Sequence, residues 1–163
     1  MYYDAIAKGY NELYQQEQLH KLSIIKNNIN INKNTKILDV GCGSGSSSQF
    51  NCEVIGIDPS IKLIKQNNNK NKILGIAEAL PFKYNSFDYV ISITAIHNFN
   101  NIKKSFEEIK RVGKENFIFS VLKKSREFDY IKNLIEKNFK IEKVIEEEKD
   151  TILFCKNHKC RES

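Results

Sequence analysis

A chain of 163 residues, 40% hydrophobic with seven Gly and two Pro, is long enough to bury about two-thirds of its unfolded surface in one core and too short for two. Its mean hydropathy of −0.48, with no apolar run near the roughly 20 residues a bilayer span needs, excludes collagenous, low-complexity and membrane-spanning chains. Lys plus Arg exceed Asp plus Glu by 26 to 20, a net +6; that suits a polyanionic partner, although the general excess of Lys and Asn makes the placement of charges more informative than their sum.

The expectation is therefore one domain over 1–163. The start, Met1-Tyr2-Tyr3-Asp4, has no basic segment leading into an apolar one, which predicts a cytoplasmic protein. Cysteines at 42, 52, 155 and 160 are irregularly spaced and predict reduced thiols rather than a disulfide framework. Residues 2–29 set Ile6, Tyr10, Leu13, Tyr14, Leu22 and Ile25 at three- and four-residue steps, with Gly9 between. That pattern predicts one long or two short amphipathic helices, an N-terminal lid over 1–30.

Beyond a turn-rich Asn/Lys connector at 26–36, a core is expected over 36–156. Ile37-Leu38-Asp39-Val40 and Val54-Ile55-Gly56-Ile57 read as two buried strands, joined by the turn Gly41-Cys42-Gly43-Ser44-Gly45 and a short helix. A helix at 60–66 leads to a third strand at 73–76, then strand four at 87–93, a helix at 102–112, strand five at 116–122 and a helix at 125–138. Segments 139–146 and 151–155 form an antiparallel pair before a tail at 157–163. Strands alternating with helices specify an α/β fold, a doubly wound seven-stranded mostly parallel sheet with an antiparallel C-terminal strand.

In such a sheet ligands bind beyond the carboxyl ends of the strands. Gly41, Gly43 and Gly45 follow strand one, where missing Cβ atoms let backbone amides approach a ligand and permit positive φ. Asp58 ends strand two, where a carboxylate can accept both hydroxyls of a ribose. Together they read as a nucleoside site. The spacing is G-x-G-x-G, so neither the G-x-G-x-x-G of dinucleotide enzymes nor a G-x-x-x-x-G-K-[ST] phosphate loop is present.

Ile37 through Gly45, Gly56-Ile57-Asp58-Pro59-Ser60, Ala77-Glu78-Ala79-Leu80-Pro81-Phe82 and Ser86-Phe87-Asp88-Tyr89-Val90 resemble, in order, the motifs of class I S-adenosylmethionine-dependent methyltransferases, which have a Rossmann-like fold. The resemblance covers about residues 36–122. It implies that S-adenosylmethionine is the cofactor, that Asp39, Gly41, Cys42, Gly43 and Gly45 hold its methionine end, and that Asp58 and Pro59 meet its ribose. Ala77 and Glu78 are implied beside the adenine, and Thr94 joins the cofactor set. Two departures stand out: Ile76 replaces an Asp common in relatives, and only twelve residues separate Gly45 from Asp58. Ser46-Ser47-Ser48 is also poor helix material.

Strand four ends in Ser92-Ile93-Thr94-Ala95-Ile96-His97-Asn98-Phe99. His97 is the candidate for positioning or deprotonating the methyl acceptor; the alternative is that it hydrogen-bonds its own loop. Tyr10 is a second catalytic candidate if it closes over the cofactor with Tyr3, and otherwise belongs to the core. Cys155-x-x-His158-x-Cys160 is either half a metal site or a strand end with a tail, and no metal is expected. Lys103, Lys104, Lys123, Lys124 and Arg126 fall at the same carboxyl edge, either a solvated surface or a mouth for an RNA acceptor. The stretch 91–99 is similar to that of tRNA wobble-uridine methyltransferases, which implies a tRNA acceptor and a small zinc-ribbon activator subunit. Strand three, short, apolar and at an edge, could receive such a partner or be covered by the N-terminal helix. A small-molecule acceptor and a non-catalytic subunit are the competing readings.

Overall fold

Runs of β-branched and aromatic residues build a single seven-stranded sheet in the computed structural model, which describes residues 2–158, with side chains from Glu12 onward apart from Ser48. In chain order the elements are α1 (Tyr2–Asn28), β1 (Lys36–Val40), β2 (Glu53–Asp58), α2 (Ile61–Gln66), β3 (Lys72–Leu74), β4 (Phe87–Ile93), α3 (Ile102–Val112), β5 (Gly113–Leu122), α4 (Phe128–Asn138), β6 (Lys140–Glu146) and β7 (Asp150–Lys156). The strand order is β3-β2-β1-β4-β5-β7-β6. The first five run parallel, and β7 is antiparallel to both β5 and β6. This is the doubly wound α/β sheet expected, with β7 inserted between β5 and β6 rather than closing the edge. Successive strands leave β1 in opposite directions, toward β2 and toward β4, and that reversal opens a crevice beyond their carboxyl ends.

Alternation along each strand sends side chains to two cores. Leu38, Val40, Phe117 and Phe119 pack on one face with Phe106 and Ile109 of α3 and Ile131 and Ile135 of α4. Phe139 sits among these rings, its centroid 4.6 Å from Phe117 and 5.3 Å from Phe119. On the other face Ile37, Ile91, Ile118 and Ile152 meet Leu22 and Ile25 of α1; each of these two helix anchors contributes about 1.5–3 kcal/mol by leaving water.

Three expectations are corrected. The helix expected after the glycine turn is only a 3-10 turn, Ser46–Gln49, because the Ser47 hydroxyl bonds to Asp39 and so competes with the helical backbone. Leu13 and Tyr14, expected on the inward face of the N-terminal helix, are exposed: α1 meets the sheet through Leu22 and Ile25, and these two residues line cavities instead. Strand three is shorter than expected and ends at Leu74, at the sheet edge, with α2 packed beside it. Among the described residues no helix is long and apolar enough to cross a membrane.

Candidate functional site

The turn after β1 is shaped by backbone conformations that a side chain would resist. Gly43 has φ +53°, a left-handed value that costs an L-residue about 1–2 kcal/mol. Gly41 has φ +79°, and a Cβ there would lie 2.5 Å from that of Ala95. The turn is tied to β2 through Gly41 N–H and Cys42 N–H, both donating to the Ile57 carbonyl at 2.8 and 3.1 Å. Asp58, almost fully buried, accepts from Gly43 N–H through Oδ2 and from Ser60 N–H through Oδ1, each at 2.9 Å. Each of its oxygens keeps a lone pair, so a further pair of donors can still be bound.

Asp39, the next carboxylate, is buried at the end of β1 and accepts from the Ser47 hydroxyl. Burial raises its pKa from 3.8 to about 6; the Ser47 hydrogen bond opposes this and the charge of Asp58 adds to it. Burial, reinforced by these two carboxylates, pushes the Cys42 thiol up to about 12, so it stays protonated at neutral pH and is no nucleophile. Its sulfur accepts from Asn67 Nδ2 at 3.6 Å.

Asp39, Gly41, Cys42, Gly43, Ser44, Ser46 and Ser47 line a cleft bordered on its other side by Tyr14, Gln18 and Leu22 of α1. Gln18 is 6% exposed, and its Nε2 has no hydrogen-bond partner among the described residues. A buried orphaned donor costs about 1–3 kcal/mol, which marks a place built for a polar partner. The cleft thus offers what an amino acid needs, a carboxylate for an ammonium and an amide donor for a carboxylate; Asp58 does not line it and stands behind it, bonded to Gly43 of its wall. S-adenosylmethionine fits that donor set.

A second cavity adjoins the first. Tyr14 borders both, and Ile93 and Thr94, consecutive at the end of β4, line one each. Half-buried His97 and exposed Asn98 face the second cavity together with Leu13, Leu122, Glu17, Lys21, Lys149 and Asp150. Burial lowers the His97 pKa, with Asp150 acting in the opposite sense; the imidazole is neutral at pH 7.

The remaining candidates are dispersed. Ala77 is buried in the core and can offer only its backbone. Glu78 Oε1 accepts from Asn101 N–H at 3.0 Å, just before α3. Pro59 is exposed. The Thr94 hydroxyl is held by Lys21, Asp150 and Ser120. Lys104 pairs with Glu107 at 3.9 Å and Lys123 with Glu146 at 2.9 Å, whereas Lys103, Lys124 and Arg126 are exposed with no ion pair among the described residues. The side chains of Tyr3 and Tyr10 lie outside the described residues, as does Cys160. Cys155 is buried in β7, its thiol pushed up to about 12 by burial, and no cluster of metal ligands is found among the described residues. Sequence reasoning missed Gln18, Lys21 and Asp150, because an isolated Gln or Lys on a helix and an Asp in a charged turn carry no local signal.

Comparison with known proteins bears on the family and the fold. The family described as "Methyltransferase domain" matches residues 38–121. An uncharacterized protein of Methanocaldococcus jannaschii is 35% identical over 161 residues, covering 93% of this chain, which spans 62% of that relative's length. The tRNA (carboxymethyluridine(34)-5-O)-methyltransferase of Schizosaccharomyces pombe is 34% identical over 79 residues, covering 46% of this chain and 34% of its own. Among solved structures, a complex of the Haloferax volcanii Trm112 methyltransferase activator with a putative methyltransferase matches 93% of this chain and 95% of its own with a TM-score of 0.74 at 14% identity, a likeness of fold.

Proposed function

From a chain that belongs to the methyltransferase domain family, the class I enzymes whose cofactor is S-adenosylmethionine, we propose a methyltransferase that transfers the methyl group to an acceptor held in the second cavity. The observation that carries this reading is the meeting of the two cavities at Tyr14 and the end of β4. When bound, the cofactor supplies a methyl carbon on a sulfonium, with a neutral thioether as leaving group. The residues do the rest. Asp58, held by the Gly43 amide, meets the ribose end, Asp39 and Gln18 the amino-acid end, and α1 borders the cleft. Such alignment alone reaches effective molarities of about 10⁵ M or more. His97, neutral at pH 7 through burial, accepts the acceptor's proton or orients its nucleophilic atom; Tyr10 is the remaining catalytic candidate.

For the acceptor, the reading we favour is RNA, a tRNA in particular. Lys103, Lys124 and Arg126 are exposed cations at the carboxyl edge with no ion pair among the described residues, and the S. pombe relative, by its name, modifies tRNA. A small activator subunit would add to β3, an edge strand of three residues whose last residue, Leu74, is exposed, as is Ile76 just after it. The fold shared with the H. volcanii methyltransferase supports that partner. A small-molecule acceptor is the second reading, favoured by the apolar walls that Leu13, Tyr14 and Leu122 give the second cavity.

The test is to incubate the protein with methyl-labelled cofactor and separate RNA, protein and small-molecule fractions of a cell extract. Label in RNA that falls steeply between 50 and 200 mM salt, and falls again on combining Lys103→Glu, Lys124→Glu and Arg126→Glu, supports RNA. Salt-insensitive label in the small-molecule fraction selects the second reading.

A further inference from the structure

Beside the second cavity lies a buried charge pair. Lys21 Nζ of α1 is 3.0 Å from Asp150 Oδ1 at the start of β7, with side chains 8% and 0% exposed. The same ammonium donates to Thr94 Oγ1 at 2.8 Å; that hydroxyl donates to Asp150 Oδ2 at 2.8 Å, and Ser120 Oγ of β5 donates to Asp150 Oδ2 at 2.6 Å. One network therefore joins α1, the end of β4, β5 and β7 at the carboxyl edge.

Thr94, at its centre, has φ +52°. For a β-branched residue this is a costly conformation, and it persists only where the surroundings hold it. The Thr94 backbone N–H donates to the Ser120 carbonyl at 3.0 Å, so both its backbone and its hydroxyl are pinned. The left-handed residue turns the chain out of β4 into the 3-10 turn Ile96–Asn98, and His97 is three residues further on.

A buried ion pair is weak support for a fold, since apolar residues of similar volume often replace one without loss of stability. What this pair does that an apolar pair cannot is hydrogen-bond Thr94. On the reading that the second cavity takes the methyl acceptor, we propose that Lys21 and Asp150 are positioning residues: they clamp Thr94 in its left-handed conformation and thereby set where His97 presents its imidazole to the acceptor. The outer contacts between α1 and the β6–β7 turn, Glu17 with Lys149 and His20 with Glu147, are partly solvent-exposed and hold the helix weakly.

The pair also faces His97 electrostatically. The charged groups lining its cavity are Glu17 and Lys21 from α1, Lys149 from the β6–β7 turn and Asp150 at the start of β7, and of these Asp150 is the one that raises the His97 pKa against the effect of burial. Removing both charges of the inner pair must move the histidine's titration as well as its place.

The test is the double variant Lys21→Met with Asp150→Leu, compared with the wild type in three measurements: thermal unfolding, the NMR titration of the His97 imidazole, and transfer of labelled methyl to the RNA and small-molecule fractions. The expectation is unfolding within a few degrees of the wild type, a His97 titration displaced to lower pH, and transfer reduced at least tenfold in kcat with KM for S-adenosylmethionine little changed. A folded double variant with wild-type titration and wild-type transfer overturns the proposal. Should the double variant fail to fold, Thr94→Gly replaces it: glycine tolerates the left-handed φ but lacks the hydroxyl, so transfer must fall, and unchanged transfer overturns the proposal. If the wild type itself labels neither fraction, the acceptor reading fails, while a displaced His97 titration would still support the clamp.

Discussion

The backbone N–H of Gly43 donates to Oδ2 of Asp58 at 2.9 Å, so the glycine turn after β1 and the acid that ends β2 form one unit. A ligand that engages the carboxylate is brought against the turn, and a change in either partner is felt by both.

Asp58→Ala leaves the amides of Gly43 and Ser60 without their acceptor and removes the diol's partner. Hydrogen bonds to a charged group contribute about 1.5–3 kcal/mol, so affinity for S-adenosylhomocysteine is expected to fall about 10- to 100-fold in isothermal titration. Asp58→Asn, which keeps the shape and loses the charge, falls between the two.

Gly41→Ala tests the close approach to Ala95. With a Cβ 2.5 Å from its neighbour at φ +79°, the backbone penalty and the overlap together cost about 3 kcal/mol. In a domain of this size the melting temperature should drop by roughly 6–12 °C.

Asp39 makes a pH prediction with a definite sign. Its folded pKa of about 6 lies above the ordinary 3.8, so the stability it contributes is fully present below about pH 4 and is lost as pH rises through 6. The difference in urea midpoint between Asp39→Asn and the wild type should therefore grow in favour of the variant between pH 4 and 7. Binding runs the other way, because an ammonium ligand prefers the carboxylate: wild-type affinity for S-adenosylhomocysteine should strengthen from pH 5 to 7.5, and that of the variant should not.

Gln18→Leu removes the orphaned donor. The free protein should be as stable or more stable, since an unsatisfied buried amide is lost. Affinity for S-adenosylhomocysteine should fall about tenfold, while that for 5′-methylthioadenosine, which lacks the amino-acid end, should hold. Calorimetry on the two ligands checks both halves.

Much of this fold is legible because buried parallel strands have only one reading: Ile37–Val40, Val54–Ile57 and Phe87–Ile93 are apolar runs bounded by turn residues, and the strands form where the runs stand. The positive φ of Gly41, Gly43 and Gly45 is legible for the same local reason. Less can be read where long-range contacts decide. Nothing in residues 139–156 indicates that β7 enters between β5 and β6. The periodicity of residues 13 and 14 is that of a core face, yet both are exposed. Lys21 and Asp150 become a site only because α1 and the start of β7 meet across β4 and β5.

The central claim is that the cleft beneath Gln18 and above the glycine turn binds S-adenosylmethionine. Isothermal titration of the wild type with S-adenosylhomocysteine tests it most directly. The expected result is one binding site per chain, with the heat lost or strongly reduced in Asp58→Ala; no heat from folded wild-type protein at high micromolar concentration, or equal binding by the variant, would contradict it.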